Sequence, residues 1–227
     1  MRYTQILIAG RGKLASEISK LLQVPHDLKS GSWRSDFTDM ACSLIVHAGS
    51  GRELPEIIEF CKSTSSTLIE LSTGSVLENT PQSFPVVICP NTNILMLKFM
   101  KMVQTTGPFY SGYNIQVIES HQSGKKSTPG TAVAIASSLG LSPDVVTSIR
   151  DPHTQASLLR IAPEDLNRHA LHQIIIRDGG SQISLETRVH GDAPYAAGVS
   201  KIVLATLSHC LENRTYWIDE YIESGWI

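Results

Sequence analysis

The stretch Glu119-Ser120-His121-Gln122-Ser123-Gly124-Lys125-Lys126-Ser127-Thr128-Pro129-Gly130-Thr131-Ala132 brings one imidazole, two ammonium groups and the start of a helical pattern into fourteen residues. His121 is the side chain suited to moving a proton near neutral pH. Lys125 and Lys126 add positive charge beside it. Ser127 or Thr128 can cap the helix, Pro129 suits its first turn, and the backbone N–H groups of Gly130 and Thr131 can then meet an anion. The chemistry implied is proton transfer beside a bound carboxylate. On this stretch alone a second reading stays open, that of a solvated, lysine-bearing turn. Gly124-Lys125 does not complete a phosphate loop, because Glu119 stands where that motif needs its first glycine and Lys126 where it needs Ser or Thr.

A second constellation opens the chain. Ile6 to Ala9 is an apolar run that ends at Gly10-Arg11-Gly12-Lys13-Leu14-Ala15, after which Leu14, Ile18, Leu21 and Leu22 recur at helical spacing. Small residues in the pattern G-x-G-x-x-A allow a tight turn and the close approach of a pyrophosphate, so Gly10, Arg11, Gly12, Lys13 and Leu14 are candidate cofactor contacts. About twenty residues further on, a carboxylate would favour NADH and basic or hydroxyl groups NADPH. Lys29, Ser30, Ser32 and Arg34 outnumber Asp27 there. Of NADPH or NADH, NADPH is therefore favoured.

The elements that must position these groups follow from the hydropathy pattern. Short apolar runs at Leu44–His47, Thr67–Leu71 and Pro85–Cys89 alternate with helical faces such as Leu54, Ile57, Ile58 and Cys61. That alternation predicts a Rossmann-like parallel sheet. Ligands gather at the carboxyl ends of such strands, which makes Ala48, Gly49, Ser72, Thr73, Gly74, Pro90 and Asn91 candidate lining for a nicotinamide. His47 is a further candidate there. The second strand is placed weakly, around Val24–Leu28, with 29–34 as a loop.

Beyond Met96 the character changes. A strand Tyr113–Ile118 is expected to give way to the polar stretch as a loop, then a helix from Pro129 to Leu139. His172–Arg177 and Gln182–His190 form a hairpin across Asp178-Gly179-Gly180. Ile183, Leu185, Thr187 and Val189 alternate with polar residues, so this mixed, open sheet has one apolar face and is a candidate oligomer interface. A helix from Tyr195 to Leu211 returns to the first domain. The expected class is α/β: a dinucleotide-binding domain over 1–93 and 195–227, and an α+β substrate-binding and oligomerisation domain over 94–194.

A net charge of −2 in 227 residues provides no basic surface for nucleic acid. The four cysteines lie far apart and His153, His169 and His172 have no ligand spacing, so no metal is expected and these histidines read as surface or core groups. No apolar run nears the length of a membrane span and no export signal stands at the N-terminus, which makes the cytoplasm the expected compartment.

Taken together, these motifs resemble the dihydrodipicolinate reductase family. Gly12-Lys13-Leu14-Ala15 looks like that family's Gly-Arg-Met-Gly turn, Ser72-Thr73-Gly74 its Thr-Thr-Gly, and Cys89-Pro90-Asn91 its Ala-Pro-Asn. Glu119-Ser120-His121, Lys125 and Pro129-Gly130-Thr131-Ala132 resemble its signature, Glu-x-His-His-x-x-Lys-x-x-x-Pro-Ser-Gly-Thr-Ala. Tyr195-Ala196-Ala197-Gly198 is similar to its Phe-Ala-x-Gly. The resemblance implies NAD(P)H-dependent reduction of 4-hydroxy-tetrahydrodipicolinate (dihydrodipicolinate) in lysine and diaminopimelate biosynthesis, by a homotetramer joined through the C-terminal-domain sheet. It implies His121 and Lys125 as catalytic groups, with Gly130 and Thr131 on a substrate carboxylate; Gln122 can still hydrogen-bond that carboxylate, and Lys126 or Arg188 can supply the charge it lacks. The chain departs from the pattern at Gln122, where the family has a second histidine, at the missing serine after Pro129, and at Asp192, where the family has an arginine. Two other readings follow from those departures: a reductase of a different cyclic imine on the same scaffold, and a non-catalytic NAD(P)-binding paralogue.

Overall fold

The computed structural model describes residues 3–26, 28–34, 41–125, 129–191 and 193–227. In chain order they form β1 (Gln5–Ala9), α1 (Lys13–Leu21), β2 (Lys29–Ser32), β3 (Ser43–His47), α2 (Leu54–Thr64), β4 (Thr67–Glu70), β5 (Val86–Ile88), α3 (Ile94–Thr106), β6 (Asn114–His121), α4 (Gly130–Ser138), β7 (Thr147–Ile149), α5 (Pro152–Ser157), β8 (His169–Asp178), β9 (Ser181–His190), α6 (Ala193–Ser208), β10 (Thr215–Trp217) and α7 (Ile218–Glu223). The chain divides into two compact units, 1–94 with 192–227, and 95–191.

Unit 1 is built on a six-stranded parallel sheet in the order β10-β5-β4-β3-β1-β2. Its central strands are buried on both faces, which is why β3 reads Ser-Leu-Ile-Val-His rather than alternating apolar with polar residues. Leu7, Ile45, Leu68 and Ile88 pack with Ile57 and Phe60 of α2 into one core, each large side chain contributing about 1.5–3 kcal/mol by leaving water.

The second strand is not where hydropathy put it. It is Lys29–Ser32, paired in parallel with β1 from Gln5↔Lys29 to Ile8↔Ser32 and exposed at every position. An edge strand of Lys, Ser and Gly is held by ladder hydrogen bonds and carries no apolar signal. Trp33 anchors its end, edge-on to Phe60 at 5.1 Å. The other edge, β10, is a three-residue Thr-Tyr-Trp strand with Tyr216 buried, too short to leave a hydropathy pattern. α6 crosses so close to the chain before α3 that a Cβ on Gly198 would lie 1.6 Å from the Thr92 carbonyl oxygen.

Unit 2 carries a four-stranded mixed sheet, β7-β6-β8-β9, in which β6 runs parallel to β7 and antiparallel to β8. α4 packs Ile135 and Leu139 against Val117, Ile174 and Ile176. Leu185 of β9 packs against that core, while Ile183 on the same face is 43% exposed. Ser184, Glu186 and Arg188 on the other face are exposed.

The strand expected to end at Ile118 continues through Glu119 and Ser120 to His121. Polar residues extend it because each finds a partner inside the sheet. Ser120 lies 2.9 Å from His169 Nε2 and accepts from Gln155 at 3.0 Å, while Glu119 is bound from several sides. Among the described residues, no helix is long and apolar enough to cross a membrane.

Candidate functional site

The polar stretch is held from its strand end. Glu119 pairs in register with Ser148 on one side and His172 on the other, and its carboxylate is fully buried. It accepts from the His121 ring at 2.8 Å and from both terminal nitrogens of Arg150. Burial acts to raise the Glu119 carboxyl, but hydrogen bonds from His121, Arg150 and Ser148, together with the Arg150 charge, outweigh it and hold it down at about 2. A carboxylate that stays ionised can only accept, so the proton of a neutral His121 sits on Nδ1. That leaves Nε2 for exchange with a ligand.

The turn after β6 is closed by Lys125 N–H donating to the Gln122 carbonyl at 3.0 Å. Arg150 Nε donates to the Lys125 carbonyl, also at 3.0 Å. Gln122 is exposed and Lys125 half-buried. Pro129, rather than Ser127 or Thr128, is the residue before α4; among the described residues no side chain caps that helix, and its first internal bonds run from Ala132 and Val133 to Pro129. The N–H groups of Gly130 and Thr131 thus have no helical acceptor and remain for an anion. Lys126, expected to bind substrate, lies outside the described residues, as do Ser127, Thr128, Asp27 and Asp192.

Three residues absent from the expected set complete this site. Arg150 follows a three-residue strand and has no local motif. Gln155 is buried and bonds the His121 carbonyl at 2.7 Å. His172, expected as a surface or core group, is 3% exposed with its ring edge-on to His121 at 5.6 Å. Burial and the neighbouring His121 push its pKa down to about 4. Its Nε2 has no partner among the described residues.

Unit 1 carries the second site. A cleft of about 660 Å³ is lined by Gly10, Arg11, Ser32, Trp33, Arg34, Glu53 and Glu56. Of the expected cofactor contacts it gathers Gly10, Arg11 and Arg34; Lys29 and Ser30 do not line it. A cleft of about 480 Å³ brings Gly49 together with Ser72, Thr73 and Gly74, and adds Arg52. Ala48, Pro90 and Asn91 line neither.

His47 also stays out of both, being fully buried with Nδ1 2.7 Å from Glu70, whose other oxygen accepts Ser72 N–H at 2.8 Å. This pair holds the Ser72-Thr73-Gly74 turn from beneath.

The glycine turn fits a dinucleotide. Gly12 precedes α1 with no side-chain cap, and a Cβ placed there would meet nothing within 4 Å. A diphosphate can therefore approach the first-turn N–H groups of Lys13 and Leu14 unobstructed. Gly10 has φ +121°, and a Cβ there would lie 2.4 Å from the Ala48 carbonyl oxygen, so the turn itself requires glycine. Among the described residues no group of three His, Cys, Asp or Glu could hold a metal.

Residues 94–221 match the family model described as dihydrodipicolinate reductase, C-terminus. The 4-hydroxy-tetrahydrodipicolinate reductase 1 of Arabidopsis thaliana, a chloroplastic protein, is 35% identical over 102 residues, 42% of this chain and 29% of that relative. The chain aligns with between 28% and 36% of the length of the plant relatives it matches. The 4-hydroxy-tetrahydrodipicolinate reductase of Methanococcoides burtonii is 26% identical over 217 residues, 87% of this chain and 76% of its own. Among solved structures, the dipicolinate-bound dihydrodipicolinate reductase from Paenisporosarcina sp. TG-14 shares the fold, with a TM-score of 0.64 at 13% identity, over 95% of this chain and 97% of that one.

Proposed function

The chain belongs to the dihydrodipicolinate reductase family through its residues 94–221, and from that premise we propose that it reduces 4-hydroxy-tetrahydrodipicolinate to tetrahydrodipicolinate, the ring gaining a hydride from NADPH or NADH and a proton while its hydroxyl leaves as water. The observation that carries the reading is the Glu119–His121 bond at 2.8 Å, which leaves His121 Nε2 for proton exchange while Lys125 follows in the next turn.

In this reading unit 1 binds the dinucleotide and unit 2 the substrate. The bound nicotinamide supplies the hydride. His121 supplies the proton, and Lys125 is its electrostatic partner, favouring the negative charge that develops as hydride arrives. Gly130 and Thr131 receive one substrate carboxylate through their backbone N–H groups, with Lys126 adding charge and Gln122 a hydrogen bond. Gly10 to Leu14 hold the pyrophosphate. Arg11 and Arg34, both in the larger cleft, favour NADPH by meeting its 2′-phosphate, whereas Glu53 and Glu56 in the same cleft oppose a second anion. Assembly as a homotetramer through the unit 2 sheet and residence in the cytoplasm belong to the same proposal.

The test is NADPH oxidation in a mixture of dihydrodipicolinate synthase, pyruvate and aspartate semialdehyde. Oxidation that requires all three and the chain supports the reading. Tight NADPH binding without oxidation rejects it in favour of a different cyclic imine or a silent paralogue.

A further inference from the structure

Arg150 is joined to both halves of the polar stretch. Its two terminal nitrogens grip the Glu119 carboxylate end-on, Nη1 at 3.1 Å. Nη1 also reaches the Ile149 carbonyl at 3.1 Å, and Nε turns away to the Lys125 carbonyl at 3.0 Å. The side chain is 21% exposed, so these bonds are largely shielded from water. Neutralising Glu119 would need only the two terminal nitrogens. The bond from Nε neutralises nothing, because a neutral backbone oxygen sits at its end; what it does is fix the turn.

We propose that Arg150 is a positioning residue that sets His121 and Lys125 together. Through Glu119 it fixes the tautomer and orientation of the His121 ring, and through the Lys125 carbonyl it fixes the turn that carries the Lys125 ammonium. The proposal rests on the reading of those two residues as the catalytic pair. A guanidinium can do this because its five donors lie in one rigid plane, so that one edge can serve a carboxylate while Nε serves a separate acceptor. A lysine has the charge but a single nitrogen.

The substitution Arg150→Lys therefore separates the two functions. Glu119 stays paired, and the Lys125 turn is released. In Arg150→Lys we expect exchange of the Lys125 amide, which closes the turn onto Gln122, to speed up about ten-fold or more, as local opening becomes easier. We expect kcat to fall about 100-fold, the cost of a misplaced catalytic group, with the KM for NADPH unchanged. In Arg150→Gln, Glu119 loses the two nitrogens that hold its carboxylate, and the His121 ring, followed by nitrogen NMR, is expected to lose the single Nδ1–H tautomer of the wild type.

Amide exchange and the tautomer spectrum need no turnover, so they decide the matter even if the chain reduces another substrate. Unchanged Lys125 exchange in both variants, or an unchanged His121 tautomer in Arg150→Gln, would overturn the proposal and leave Arg150 as a plain counter-ion. If Arg150→Lys kept wild-type kcat while its Lys125 amide exchanged faster, the positioning of Lys125 would be refuted as well.

Discussion

Glu119 and His121 stand two residues apart on the same face of β6, and the buried carboxylate accepts the ring's Nδ1 hydrogen at 2.8 Å. The alternation of side chains along a strand makes this contact. In Glu119→Gln the amide could donate as well as accept, so the ring would no longer be confined to the Nδ1–H tautomer. The expected outcome is a fall in kcat of about 100-fold and a second tautomer in the nitrogen NMR spectrum of His121. An unchanged spectrum would show that the tautomer is set by something else.

His172 makes stability depend on pH. Its pKa is lowered from 6.5 to about 4 in the folded chain, so between those values the unfolded chain binds the extra proton. Stability is full above pH 6.5 and is lost as pH falls toward 4, by about 3 kcal/mol at the low end. His172→Gln should flatten that part of the curve, read as denaturant midpoints across the range. An equally steep loss in the variant would assign the dependence to other groups.

Gly198 and Gly12 predict opposite kinds of damage. At Gly198 an added methyl group would lie 1.6 Å from the Thr92 backbone oxygen, so Gly198→Ala should lower stability by about 3 kcal/mol or more, an overpacking that backbone cannot relieve cheaply. At Gly12 it would meet nothing within 4 Å. Gly12→Ala should therefore unfold at nearly the wild-type temperature, yet bind NADPH about ten-fold more weakly or worse because the methyl group fills the space a pyrophosphate needs. Calorimetry of both variants, with and without NADPH, checks the contrast.

Cofactor choice should follow the cleft rather than the basic residues counted along the chain. Arg34 lines it and Lys29 does not. Arg34→Glu should raise the Kd for NADPH about ten-fold or more while leaving NADH within about two-fold, since a charge-assisted phosphate contact is lost. Lys29→Glu should alter neither. Equal effects on both cofactors at Arg34 would remove the 2′-phosphate from this cleft.

The residues that could be read from sequence were those with local signatures. The glycine turn announces itself by spacing, the Asp178-Gly179-Gly180 hairpin by turn chemistry, and the buried strands by unbroken apolar runs. β2 and β10 were illegible or misplaced because edge strands are held by backbone bonds that leave no pattern in the side chains. The polar end of β6 read as a loop for a related reason: Glu119, Ser120 and His121 are buried through partners distant in sequence. Arg150 is the partner of Glu119, His169 and Gln155 are those of Ser120, and His172 packs beside His121; a single sequence carries no mark of pairings between β6 and elements that follow it. The carboxylate that orients His121 was in plain view as Glu119; only the strand geometry gave it that role.

The central claim is that this chain delivers hydride to a ring whose proton comes from His121. The direct measurement uses NADPH labelled with deuterium at the transferred position, and mass spectrometry of the tetrahydrodipicolinate formed. The account predicts product carrying the deuterium from wild-type protein, and loss of that product in His121→Ala and Lys125→Ala while NADPH binding is retained. Labelled product formed at the wild-type rate by both variants, or NADPH consumed with no label in the product, would contradict it.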